Sequence, residues 1–324
     1  MAILRSSAIF PIRSRSTLSM LHFRTSTTLD FDFITEGLGI DPEIVDYVIS
    51  SYTVDMRIIR TRFWAPNLQL HCGKIVNGAM QSDTWVNVHT FSNGGIYHAK
   101  FILITTQNVL RFIFTTANMT WPMINGTTWN DYVRITIPRM YGDHGHCRNE
   151  NTLRLKQFFD TFGIKTQIDI ERYNWSMLKL IITTTIPGVT SHTIQLRERS
   201  SEFTETEIAT ASIVSDFNLS RYIHTGKCIV YRPRNTFNED MKNPKSAQCF
   251  LINIRENCTW YAFQYIENIL KYHVKRYIFS TTHGRFVLFT SANLTSSAWN
   301  GKNAELGIFS RSSNIYQITT ALDK

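Results

Sequence analysis

Short apolar runs alternating with polar positions fill the chain from residue 57 to residue 118. RIIRTRFW, LQLHCGKI, WVNVHTF, HAKFILIT and LRFIFTTAN carry β-branched and aromatic residues at a spacing that suits strands. The last two follow one another across Thr106-Gln107-Asn108, which predicts two strands joined by a tight turn. Ahead of them, residues 42–50 (PEIVDYVIS) set their apolar positions on one helical face, and a helix is expected. Beyond them, residues 152–162 (TLRLKQFFDTF) read as an amphipathic helix. The strand pattern resumes at LKLIITTTIPG, a helix is expected over 204–213, and VKRYIFSTT with GRFVLFTSAN repeats the two-strand signature. Helices interleaved with buried apolar strands imply an α/β class.

The two-strand signature recurs at a fixed distance. TTANMTW begins at Thr115 and TSANLTS at Thr290, and 290 − 115 = 175. The same offset relates His98 to His273, Lys100 to Lys275 and Asn118 to Asn293 (273 − 98, 275 − 100 and 293 − 118 all equal 175). Each copy is H-x-K with an Asn 20 residues after the His. An internal repeat of this kind predicts two structurally similar halves that meet between about 150 and 172. The expected division is an arm at 1–29, a first half at 30–160 and a second half at 161–324.

Side chains two apart on a strand share a face, so His98 emerges with Lys100 and His273 with Lys275. The following strand returns an Asn to the same end. Together the halves would offer two imidazoles, two ammoniums and two amides, a set that suits a phosphodiester. Lysine and Asn groups hold non-bridging oxygens and stabilise transition-state charge. One imidazole attacks phosphorus; the other protonates the leaving oxygen and later takes a proton from water. This division of labour needs no metal or other cofactor, and none is expected. Asp143-His144-Gly145-His146-Cys147 contains metal-ligand types but lacks partner ligands at a useful spacing.

Charge and cysteines then narrow the setting. With 34 Lys and Arg against 25 Asp and Glu the chain carries +9, which favours a polyanionic partner. Five cysteines without a C-x-x-C pair argue against a disulfide framework and for a reducing compartment. No apolar run is long enough to span a membrane. Residues 1–29 lack Asp and Glu and carry Arg5, Arg13, Arg15 and Arg24, as a mitochondrial transit peptide or a disordered basic arm would.

HAKFILI…TTANMT and HVKRYIF…TSANLTSSAW…AELGIF resemble the two H-x-K…N motifs of the tyrosyl-DNA phosphodiesterase family, a branch of the phospholipase D superfamily. The Asp that the wider superfamily carries in H-x-K-x4-D is absent after both lysines; the Asn within S/T-x-A-N-[LM] marks this branch. The resemblance implies two phospholipase D-like halves, each a mixed sheet flanked by helices, with a pseudo-two-fold active site between them. It implies His98 as nucleophile, His273 as general acid/base, and Lys100, Lys275, Asn118 and Asn293 as phosphate-binding groups. Glu305 in AELGIF matches the family acid that orients a catalytic histidine, and Asn130 falls near a Gln that supports the other one. Ser212 and Ser215 resemble a serine-rich DNA-backbone segment, Thr295 stands where a Ser lies near DNA, and Ile186-Pro187-Gly188 resembles a strand-ending turn. Phe91 and Tyr97 are the candidates for an aromatic residue that stacks on a single-stranded base.

The activity implied is hydrolysis of 3′-phosphotyrosyl adducts, left by topoisomerase I at single-stranded DNA 3′ ends, through a phosphohistidine. The implied protein is a monomer with no membrane attachment, addressed to the nucleus, with the mitochondrion as alternative. Two other readings stand beside it: a phospholipase D-like nuclease or lipase with another phosphodiester substrate, and a non-catalytic nucleic-acid-binding relative. The missing Asp and the ANMT and ANLT strings weigh against the first; two intact motifs weigh against the second.

Overall fold

Strand pairing organises both halves of the chain in the same way. The computed structural model describes residues 21–36, 38, 43–63, 67–78, 85–142, 145–191, 203–210, 227–233, 260–266 and 273–311. The first sheet holds β1 (Leu21–Thr28), β2 (Ile44–Asp55), β3 (Leu68–Val76), β4 (Val86–Val88), β5 (Phe101–Thr106), β6 (Val109–Thr115) and β7 (Asn125–Pro138). The second holds β8 (Leu180–Thr185), β9 (Phe203–Thr210), β10 (Lys227–Pro233), β11 (Trp260–Ile266), β12 (Lys275–Thr281), β13 (Gly284–Thr290) and β14 (Glu305–Arg311). Their orders are β1-β7-β6-β5-β2-β3-β4 and β8-β14-β13-β12-β9-β10-β11. Adding seven to each label of the first order gives the second. Directions match as well: β2–β3–β4 and β9–β10–β11 run parallel, and the other neighbours are antiparallel. The two similar mixed sheets expected from the 175-residue repeat are therefore present.

The first sheet is buried on both faces. Phe101, Leu103, Phe112, Phe114 and Val133 point into a core shared with Ile182, Val287, Phe289 and Ile308 of the second sheet. Alternate residues Ile49, Ile102, Ile104, Ile113 and Tyr132 point the other way, into a core that includes Ile34 of helix α1 (Phe31–Thr35) and Ile58 and Ile59 of helix α2 (Met56–Arg62). Helix α4 (Glu150–Phe162) lies between the sheets in sequence and touches both. Phe158 packs on Phe101 and Tyr97, and the Asn151 amide donates to Leu180 and accepts from Ile182 of β8. An Asn149–Thr152 capping box starts α4, and Gly163 ends it at φ 66°.

Four sequence expectations are corrected. Residues 44–50 lie in β2, not a helix; a strand covered on both faces reads as a continuous apolar run without strand alternation. Residues 57–62 of RIIRTRFW are the body of α2 rather than a strand, and the Asp55 carboxylate caps its first turn; Trp64 lies outside the described residues. Residues 203–210 form β9 instead of a helix, with neighbours on either side in β10 and β12; residues 211–213 lie outside the described residues. The folded region begins before Asp30, because residues 21–28 pair with β7 and Thr25 donates to Asp131; residues 1–20 lie outside the described residues. Among the described residues no helix is long and apolar enough to cross a membrane.

Candidate active site

The two H-x-K segments enter their strands by a reciprocal exchange of backbone hydrogen bonds. The His98 N–H donates to the Ala304 carbonyl at 2.9 Å, and the His273 N–H donates to the Trp129 carbonyl at 2.8 Å. The two acceptors are themselves 175 apart (304 − 129), so each half supplies the other's motif with the equivalent carbonyl. The local turns after β6 and β13 match in the same register. Thr116 pairs with Asp131 as Ser291 does with Leu306, and the Asn118 and Asn293 carbonyls accept from Thr120 and Thr295, each at 2.8 Å.

Side-chain chemistry is not duplicated. His98 Nδ1 lies 2.9 Å from Glu305 Oε2, and Glu305 also accepts from Ser291 at 2.5 Å and from Asn303 at 3.1 Å. A carboxylate only accepts, so the imidazole proton sits on Nδ1 and Nε2 keeps its lone pair. Asn130 occupies the position equivalent to Glu305 (305 − 130 = 175), but its amide donates to the Met123 and Thr128 carbonyls and does not reach His273. Instead, the Lys275 ammonium rests 3.1 Å from His273 Nε2; each lysine also donates to the carbonyl of its own motif histidine, Lys100 to His98 at 2.8 Å and Lys275 to His273 at 3.2 Å. Lys100, Lys275 and Glu305 are completely buried and His98 is 5% exposed.

Burial sets the charges. It pushes His98 down to about 4, with the two lysines adding to the effect and Glu305 opposing it. His273 keeps partial exposure, yet lost hydration, then Lys275, Lys100 and His98, push it well below the ordinary histidine value. Burial also takes Lys275 down to about 7 and Lys100 well below the usual lysine range. Burial raises Glu305, but the adjacent imidazole, Lys100 and Ser291 outweigh it and hold the carboxyl at about 2. Without an anion the site thus disfavours its own cations, and a bound phosphodiester would restore them.

The remaining expected residues have these surroundings. Asn118 accepts from the Thr53 N–H at 3.4 Å, and Asn293 Oδ1 is buried with no hydrogen-bond partner among the described residues. Thr295 caps α5 (Ser296–Trp299), its hydroxyl accepting from Ala298. Ser212 and Ser215 lie outside the described residues. Tyr97 is fully buried with its hydroxyl on Ser50, and Phe91 packs at the edge of the core against Phe162, so Tyr97 is withdrawn as a base platform. Three contributors escaped sequence reasoning: Ser291 and Asn303 on Glu305, and Tyr52, whose ring lies 5.4 Å from the His98 ring. Only Ser291 left a signal, as the counterpart of Thr116 in the repeat. A cavity of about 840 Å³ lined by Arg60, Trp85, Lys165 and Gln167 opens elsewhere and includes none of the motif residues.

Two sheets of identical strand order, meeting at a pair of H-x-K motifs, match known structures over nearly the whole chain. A histidine-substituted mutant of yeast tyrosyl-DNA phosphodiesterase superposes with a TM-score of 0.66, covering 92% of this chain and 91% of that one at 12% identity. The yeast enzyme without substitution gives 0.63, covering 91% of each chain at 14% identity. The fold is that of tyrosyl-DNA phosphodiesterase. No family model and no curated protein sequence matches the chain. The tyrosyl-DNA phosphodiesterase fold is thus shared at 12–14% identity.

Proposed function

We propose that the protein is a DNA 3′-end phosphodiesterase that hydrolyses 3′-phosphotyrosyl adducts of the kind topoisomerase I leaves. The observation that carries this reading is the buried His98–Glu305 pair beside two buried lysines and across from His273. His98 Nε2 attacks phosphorus, the P–O bond to the tyrosyl oxygen breaks, and His273 gives that oxygen its proton. Glu305 stabilises the imidazolium that the new P–N bond creates. Water then attacks phosphorus, His273 takes its proton, and the P–N bond breaks to leave a DNA 3′-phosphate. Lys100, Lys275, Asn118 and Asn293 bind the non-bridging oxygens. A net charge of +9 supports a nucleic-acid strand as partner, with binding that weakens as salt rises.

The test is turnover of a 3′-phosphotyrosyl oligonucleotide with EDTA present, beside phosphatidylcholine vesicles. Cleavage of the oligonucleotide alone is expected; an inert oligonucleotide would sink the reading, and cleavage of the lipid alone would transfer it to a lipase.

The site's electrostatics set a pH profile. In the free enzyme His98 must be neutral to attack, so kcat/KM falls as pH drops through about 4. Lys275 must be charged to hold phosphate and His273 protonated to act as the acid, and burial lowers both, so kcat/KM also falls as pH rises, no later than about 7. The bound phosphodiester's negative charge raises Lys275 and His273, so the upper limb of kcat lies at higher pH than that of kcat/KM. Coincident upper limbs, measured at constant ionic strength, would contradict this account of the lysines.

A further inference from the structure

Two neighbouring strands of the first sheet set a bulky ring beside a bare backbone at the His98 imidazole. The pairs Ser51↔Cys72 and Thr53↔Lys74 put Tyr52 of β2 next to Gly73 of β3, on the same face of the sheet. A β-carbon on Gly73 would lie 2.7 Å from Tyr52 Cδ2 and 2.9 Å from the Tyr97 carbonyl oxygen, closer than such atoms approach. Gly73 is not in the left-handed region, so the demand for glycine there is one of space. The Tyr52 ring that takes up this space stands 5.4 Å from the His98 ring, tilted by 56°. The Tyr97 carbonyl belongs to the peptide that carries the His98 N–H, the donor to Ala304. One residue without a side chain therefore seats both the ring beside the imidazole and the peptide that leads into it.

We infer that Tyr52, seated on Gly73, is a positioning residue: its ring packs against the His98 imidazole and holds Nε2 in line for attack. The inference rests on the reading of His98 as nucleophile. Glu305 holds the imidazole at one atom, Nδ1, and a ring held at one atom still swings about it. A displacement of about 1 Å at the attacking atom costs about a hundredfold in rate. The charged and titratable groups around His98 are Glu305, Lys100, Lys275 and His273, and none of them offers the imidazole a flat apolar surface. Tyr52 does, through its ring and not its hydroxyl. The same ring keeps water from His98, and lost hydration is the main cause that holds this imidazole at about 4. Removing the ring hydrates the imidazole and moves its titration up toward the ordinary histidine value.

The experiment compares wild type, Tyr52→Phe, Tyr52→Ala and Gly73→Ala on a 3′-phosphotyrosyl oligonucleotide across pH, with the His98 imidazole of each free protein titrated by NMR. Thermal melts check that each variant is folded, and the Tyr52 pair decides the matter where Gly73→Ala is not. Tyr52→Ala is expected to lower kcat/KM about 10- to 100-fold and to move its acid limb up from about 4. Gly73→Ala, whose methyl takes the room of the ring, changes both in the same direction. Tyr52→Phe, which keeps the ring, matches wild type in rate and limb. A Tyr52→Phe enzyme as impaired as Tyr52→Ala, a Tyr52→Ala enzyme whose limb stays in place, or a folded Gly73→Ala enzyme that matches wild type overturns the inference while leaving the phosphodiesterase reading intact. A wild type inert on the oligonucleotide, with His98 titrating higher in Tyr52→Ala, fails the substrate reading and leaves the Tyr52 contact standing.

Discussion

His273→Ala, incubated with a 3′-phosphotyrosyl oligonucleotide, is expected to become covalently linked to the DNA and to turn over about 10²- to 10⁴-fold more slowly than wild type, the range general acid–base groups contribute. The argument is one of unequal dependence. The tyrosyl oxygen leaves as a phenolate, whose conjugate acid has a pKa near 10, so the first step proceeds partly without a proton donor. The second step needs a water deprotonated as it attacks, and the P–N bond has no other base to open it. The nearest candidates are unsuited: Glu305 is engaged by His98, Ser291 and Asn303, and both lysines serve as cations for the phosphate. The adduct should survive denaturing electrophoresis, and a peptide map should locate it on His98. His98→Ala should abolish both adduct and turnover, and the double variant should behave like His98→Ala. A single His98→Ala that still turns over, or an adduct on another residue, would remove the assigned roles.

What the chain discloses about itself follows from the range of the interactions involved. The hairpins β5–β6 and β12–β13 were legible because both partners lie within a few residues of each other. Helix α4 was legible because its cap and its apolar stripe are local. β2 and β9 look helical in sequence because what makes them strands is a pair of neighbours distant in sequence, and β-propensity is mostly a statement about neighbours. α2 looks like a strand in sequence because its isoleucines sit on a surface that only the finished sheet creates. The site shows the same division. His98, Lys100, Asn118 and their counterparts were legible through the repeat. The pairing of Glu305 with His98 spans 207 residues and could be expected only from a family resemblance. Asn130 stands in the sequence near a family Gln that supports a histidine, yet its amide turns to the local Met123 and Thr128 carbonyls, the first of them in the short helix α3 (Trp121–Ile124) beside it. Tyr52 and Asn303 gave no sequence signal, since each acts only by where the chain happens to bring it.

Asp131→Asn is expected to destabilise the protein by about 3–5 kcal/mol, because it removes the carboxylate charge paired with the buried Arg276 guanidinium. Both side chains are essentially inaccessible (0% and 1%), joined by Arg276 Nη2 to Asp131 Oδ1 at 2.5 Å and Nε to Oδ2 at 3.2 Å. Thr25 of β1 bonds to both, and the guanidinium lies 4.8 Å from the Phe23 ring and 5.6 Å from Phe289. The pair therefore joins β7 and β1 of the first sheet to β12 of the second, one residue away from Lys275. Replacing both partners with apolar residues, Asp131→Leu with Arg276→Met, removes the stranded charge and should cost less than Asp131→Asn alone. Urea unfolding monitored by fluorescence measures the cycle, and a double variant as unstable as the sum of the singles would mean the charges do not see one another. A second readout separates glue from function. Glu305 and then Asp131 help keep Lys275 charged, so losing Asp131 should move the upper limb of kcat/KM to lower pH even where the variant is fully folded. A limb that stays in place would confine the pair to holding the two sheets together.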